Sequence, residues 1–94
     1  MSLEVRSADG VVVIAVSGTL DADCGDELVR ATRAWVGDGT TRVEIDLKCL
    51  DAFTMEGAAA LVACRQLGDR LTGGLHYLTG QGAGREALLA AYAR

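Results

Sequence analysis

Apolar and polar residues alternate at the start of the chain, with Leu3, Val5 and Ser7 set against Glu4 and Arg6. A period of two puts these sets on opposite faces of a half-buried strand. Ala8-Asp9-Gly10 is a turn signal. Val11 to Val16 then runs apolar nearly throughout and is rich in β-branched residues. The two segments predict an antiparallel hairpin with Asp9-Gly10 in the tight turn. The second strand, apolar on both sides, is expected to lie more centrally than the first.

After Gly18 the period changes. Leu28, Ala31, Thr32 and Trp35 recur at three and four residues and share one helical face. Trp35 is therefore expected to pack at least partly against the sheet, so that Trp35→Ala folds poorly. Asp21 or Asp23 can cap the start, and Asp26 and Glu27 suit its positive end. Arg30 and Arg33 fall on the opposite, solvated face. Gly37 stops the helix, with Asp38-Gly39 as the following turn.

Alternation returns with Val43, Ile45 and Leu47 against Arg42, Glu44 and Asp46, a third strand. Lys48 to Phe53 reads as a loop. A second helix is expected from about Met55 to Arg70, with Ala60, Leu61, Cys64, Leu67 and Leu71 as its apolar stripe. Small Ala58 and Ala59 permit close approach to a neighbour. A short fourth strand covers Leu75 to Leu78 or Thr79. "GQGAG", Gly80 to Gly84, lacks the lysine and hydroxyl of a nucleotide phosphate loop and reads as a turn. A closing helix follows from Arg85, with Leu88, Leu89 and Tyr92 as its contact side.

The order is ββαβαβα. Strand-helix-strand connections of this length imply parallel pairing. The fold class is therefore α/β, a small mixed sheet with helices packed against it. A helical layer on one side is consistent with the charged alternating faces of two strands. Residues 1–94 are expected to form a single domain.

Composition narrows the function. Half of the residues are hydrophobic, which argues for a folded chain, and the net charge is -4. Lys48 is the only lysine, and no basic stripe exists to attract nucleic acid. The acidic balance weakly favours a basic protein partner. Cys24, Cys49 and Cys64 lack any metal-ligand spacing, so reduced thiols in the cytosol are expected, with no metal, cofactor or required disulfide. The N-terminus lacks the apolar core of a signal peptide. No apolar run nears the roughly 20 residues of a membrane span, so direct membrane insertion is not expected.

No catalytic set assembles. His76 is the only histidine and falls within the fourth strand, where a structural or surface role is expected. An enzyme is not expected. The informative stretches are instead Gly18 to Asp21 and Leu50 to Leu61. Both leave parallel strands and enter helices, and the ends of such strands commonly carry the working surface. Thr19 and Asp21 come from the first stretch, and Thr54, Met55, Glu56 and Gly57 from the second. Thr54 is also a good N-cap, able to accept from the amide of Glu56 or Gly57.

The element order and three stretches resemble a STAS domain, the family typified by anti-sigma factor antagonists. The stretches are "VSGTLDADCGDELVRA", "VEIDLKCLDAFTMEGAAALVACRQL" and "GGLHYLTG". The resemblance covers nearly the whole chain. It implies a bacterial signalling module that regulates transcription by binding a kinase-like anti-sigma factor. In that family the second helix begins Asp-Ser-Ser-Gly or Asp-Ser-Thr-Gly, and the hydroxyl just before the glycine is phosphorylated. Aligning that glycine with Gly57 puts Thr54 at the acidic position, Met55 at the first serine and Glu56 at the acceptor.

Glutamate cannot receive phosphate by that chemistry, so no phosphoacceptor is expected. Three readings of Glu56 stay open. Its carboxylate can stabilise the helix N-terminus by about 0.3–1 kcal/mol. It can imitate phosphoserine imperfectly, with one charge against about -1.5 to -2. It can also contact a partner directly. The expected partner-binding set is Thr19, Asp21, Thr54, Met55, Glu56 and Gly57. The alternative function is that of a STAS subunit in a transporter-associated or other signalling complex.

Overall fold

A computed structural model describes residues 2–37 and 39–93. It contains β1 (Ser2–Ala8), β2 (Val11–Leu20), α1 (Ala22–Trp35), β3 (Arg42–Phe53), α2 (Met55–Gly68), β4 (Leu75–Leu78) and α3 (Ala83–Tyr92). The expected ββαβαβα order is present. The strands form one mixed sheet in the order β1-β2-β3-β4. β1 and β2 are antiparallel, while β2, β3 and β4 are mutually parallel.

The hairpin turn follows from two residues. Asp9 and Gly10 have φ of 53° and 83°, the positive pair of a type I′ turn. That turn matches the right-handed twist of the strands it joins. The further turn expected at Asp38-Gly39 rests on Asp38, which lies outside the described residues.

Among the described residues, only one face of the sheet is covered by helices. Val12, Ile14, Val16, Val43, Ile45, Leu47 and Leu75 are buried on that face, against Cys24, Leu28, Leu61, Cys64 and Ala87 from the helices. The three helices lie side by side there, with α2 in the middle. Val11, Val13, Ala15, Arg42, Glu44 and Asp46 point to the other face and remain partly exposed. On that open face Arg42 pairs with Glu44 at 2.9 Å.

Four expectations change. Of Leu3, Val5 and Ser7, only Leu3 reaches the core, because β1 is an edge strand outside the helical layer. Lys48 to Phe53 is strand and not loop. Its residues pair with Ser17 to Leu20 through two register shifts that place extra residues on β3. Bulges of this kind break the regular alternation, which hid the strand in the sequence. Trp35 does pack partly against the sheet, beside Ala8 and Val12, but at the end of α1 it stands 39% exposed and outside the core, which removes the ground for expecting Trp35→Ala to fold poorly. On α3 the packed side is Gly84, Ala87 and Leu88, while Leu89 is 60% and Tyr92 46% exposed.

The α3 correction has a steric cause. A Cβ on Gly84 would stand 2.8 Å from the Leu47 Cβ and 2.9 Å from its carbonyl carbon. α3 therefore meets β3 through its least bulky residue, which turns Leu89 away. At the neighbouring contact, the Tyr77 hydroxyl donates to the Leu61 carbonyl and ties β4 to α2. Burial, and secondarily Tyr92, push the Tyr77 hydroxyl well above its ordinary titration range.

The thiols have separate fates. Cys24 and Cys64 are buried and Cys49 is exposed, all three as free thiols. Burial pushes both buried thiols above the ordinary value of 9.0, with Asp21 adding to the effect at Cys24. A thiolate is the reactive form. Cys49 is therefore expected to react quickly with a thiol reagent in native protein, with Cys24 and Cys64 reacting only on unfolding. Mass-resolved labelling with and without denaturant checks this. Fast native labelling of Cys64 would contradict it.

Candidate protein-interaction site

The parallel strands deliver two helix starts to one edge of the sheet. Near the end of β2, Gly18 has φ 86°, a conformation glycine adopts without strain. Thr19 is exposed, and Leu20 is fully buried beneath it. Asp21 then caps α1, its carboxylate accepting from the Cys24 amide at 2.9 Å. Its carbonyl accepts from the Gly25 amide at 2.8 Å. Of the two candidate caps, Asp21 is therefore the one used.

β3 ends in the same way beside it. The Thr54 amide donates to the Leu20 carbonyl at 3.0 Å, which fastens the second helix start to the first strand exit. The Thr54 hydroxyl oxygen accepts from the Gly57 amide at 3.1 Å, so Thr54 is the N-cap of α2. Each cap satisfies a backbone donor left free by the first turn of its helix.

Gly57 is buried and sets how close these parts come. A Cβ there would lie 2.5 Å from the Leu20 carbonyl carbon and 2.9 Å from the Asp21 carbonyl oxygen. Gly25 faces it from α1, where a Cβ would meet the Ala60 Cβ at 2.9 Å. The pair of glycines thus lets both helices and the end of β2 converge. Gly57 offers no side chain to a partner and shapes the site from within.

What remains outside is a small mixed surface. Met55 is 61% exposed, and Glu56 next to it is also exposed. Exposing a methionine sacrifices apolar burial, and such side chains suit adaptable protein contacts. Glu56 enters no ion pair among the described residues. From Glu56 an open groove of about 480 Å³ runs between α1 and α2, with Asp26, Arg30 and Arg33 on one wall and Ala59 and Ala63 on the other.

Five of the six expected site residues, Thr19, Asp21, Thr54, Met55 and Glu56, thus lie around the buried sixth, Gly57. Outside the expected set are Asp26, read from sequence as suiting the positive end of α1, and Arg30 and Arg33, read as solvated; all three are exposed. Yet α1–α2 packing also places them on the groove wall shared with Glu56. The signal available in the sequence was the pair Gly25 and Gly57, each early in its helix. Among the described residues there is no cluster of metal-ligating side chains. Among them, too, no helix is long and apolar enough to cross a membrane.

Solved structures share this architecture over most of their length. An anti-sigma factor antagonist from Mycobacterium paratuberculosis is 28% identical, with a TM-score of 0.74, and the match covers 90% of this chain and 72% of that one. The anti-sigma factor antagonist SpoIIAA in its unphosphorylated form is 15% identical, with a TM-score of 0.73, covering 93% and 81%. The phosphorylated form of SpoIIAA, a Bacillus cell fate determinant, is 13% identical, with a TM-score of 0.71, covering 94% and 80%. No protein-family model and no curated protein matches the chain. The chain has the STAS fold of the anti-sigma factor antagonists.

Proposed function

We propose that this chain is a protein-interaction module that acts as an anti-sigma factor antagonist, without a phosphorylation cycle at the start of α2. The observation that carries the proposal is the pairing of exposed Met55 with exposed Glu56, which has no ion-pair partner among the described residues, over the Thr54 cap. The pair stands at the edge where two parallel strands deliver helices, on a fold shared with known antagonists. Thr19 and Asp21 extend the surface on one side, and Arg30 on the other. The reading is of a cytoplasmic binding protein and not an enzyme, with a kinase-like anti-sigma factor as partner.

Glu56 serves in this proposal as a direct contact. Its carboxylate has no internal partner among the described residues and is free to meet a basic group. Met55 beside it supplies apolar area that excludes water from the charge. Imitation of a phosphorylated serine is the competing role, and it predicts the opposite sign on mutation.

Calorimetric titration of wild type and Glu56→Ser against the partner recovered from the native cell separates the two. A direct contact predicts weaker binding by about 2–5 kcal/mol if the charge pair is desolvated. Tighter binding of Glu56→Ser would instead identify Glu56 as the imitation. Recovery of a transporter ATPase in place of a kinase-like protein would move the chain to the transporter-associated class. Phosphate on Thr54 after incubation with the partner and ATP, read by mass spectrometry, would end the no-cycle proposal.

A further inference from the structure

We infer that two copies of this chain associate through β1, edge to edge and antiparallel, about a two-fold axis at Val5. β1 is the outer strand of the sheet, and among the described residues it pairs only with β2. Its residues are exposed from Val5 to Ala8, and Val5 is 38% exposed although it faces the helical side with Ile14. An edge of this length presents a row of free backbone donors and acceptors, a template for pairing.

The hairpin decides which groups are free. In a two-residue turn the flanking residues, here Ala8 and Val11, exchange both hydrogen bonds. The alternate residues Arg6, Glu4 and Ser2 therefore also direct their amides and carbonyls toward β2. Leu3, Val5 and Ser7 direct theirs outward. A second β1 meeting this edge about Val5 forms a hydrogen-bonded pair between the two Val5 residues. Leu3 then bonds with Ser7 of the other copy, and Ser7 with its Leu3. Every outward group of this stretch finds a partner in that register.

The side chains select the same register. With the axis at Val5, Glu4 lies opposite Arg6 of the other copy, and Arg6 opposite its Glu4. These are the non-hydrogen-bonded positions, where side chains approach closest. The two valines meet on the helical side and cover each other. A shift of the axis to Glu4 sets glutamate against glutamate, and a shift to Arg6 sets arginine against arginine. Like charges directly opposite are unfavourable. The pattern E-V-R thus rejects its neighbours in register while matching itself. The contact is isologous and closes at two copies. It also leaves the α2 start open, so it is compatible with the partner surface proposed above.

Sedimentation velocity of the full chain, up to about 1 mM to register a weak interface, tests the inference. The expected result is a mass rising with concentration toward that of two chains. Glu4→Arg and Arg6→Glu are each expected to weaken association about tenfold, because each creates like-charge pairs across the strands. The double variant exchanges the charges and is expected to recover wild-type association within about threefold. Val5→Pro removes an outward amide that β2 does not use, and edge strands tolerate proline there. It should remain monomeric with an unchanged circular dichroism spectrum. A wild-type mass of one chain across the range overturns the inference. So does association unaffected by Val5→Pro, or a double variant that stays as weak as the single ones.

Discussion

Gly57→Ala is expected to destabilise the native structure severely. The methyl group would fall inside the Leu20 carbonyl, 2.5 Å from its carbon, with the Asp21 carbonyl oxygen at 2.9 Å on the same side. Both obstacles are backbone, so no rotamer change relieves them. α2 would have to lift from the end of β2. That movement breaks the hydrogen bond from the Thr54 amide to the Leu20 carbonyl and separates α1 from α2 at Gly25. Overpacking of a close contact typically costs about 1–3 kcal/mol, and the rigid backbone here puts the expected loss at about 3 kcal/mol or more. Small domains have only about 5–15 kcal/mol in total. Urea unfolding followed by circular dichroism measures the loss. Gly37→Ala, where a Cβ meets nothing within 4 Å, is the control. A Gly57→Ala variant within about 1 kcal/mol of wild type would show that α2 is free to shift and that the convergence at Leu20 is not fixed.

Leu28→Ala should cost more than Trp35→Ala, the reverse of what side-chain size suggests. Leu28 is fully buried between α1 and the sheet, whereas Trp35 is 39% exposed beyond the core. Truncating a buried leucine removes its transfer energy and leaves a cavity, together about 2–5 kcal/mol. Trp35 leaves no enclosed cavity, and its partial burial beside Ala8 and Val12 gives an expected loss of about 1–2 kcal/mol. Denaturant unfolding of both variants decides the order. A larger loss for Trp35→Ala would mean that the indole anchors the β1–β2 turn more firmly than its exposure indicates.

These two outcomes also mark how far the sequence could be read. A period of two at Val43, Ile45 and Leu47, and of three to four at Leu28 and Thr32, reflects how strands and helices present side chains. Each element therefore announced itself where its pattern was regular. Asp9-Gly10 announced its turn because few residue pairs adopt two positive φ values. Thr54 was legible as a cap, and Asp21 as one of two candidates with Asp23, because a short oxygen-bearing side chain before a helix has a local partner, the amide three residues on.

The limits arose where one segment's role depends on another. Lys48 to Phe53 pairs as strand only because Ser17 to Leu20 lies alongside, and its bulges erased the alternation that would have shown it. Trp35 has the right helical phase for the core, yet as the last residue of α1 it lies beside the β1–β2 turn, 39% exposed. Leu89 lost its place on the packed side of α3 because Leu47 of β3 needs the space over Gly84.

By itself the sequence determined the elements where their pattern is regular, their order and the Thr54 cap, since each rests on interactions within a few residues. It also determined that Glu56 carries no acceptor hydroxyl, which is a matter of composition. Only the tertiary structure decided that Gly57 must be glycine, because the obstacle is the Leu20 carbonyl, far off in sequence. Only it placed Arg30 and Arg33 on a wall shared with Glu56, and left β1 as an open edge. Those facts depend on which surfaces meet, and packing across the chain fixes that.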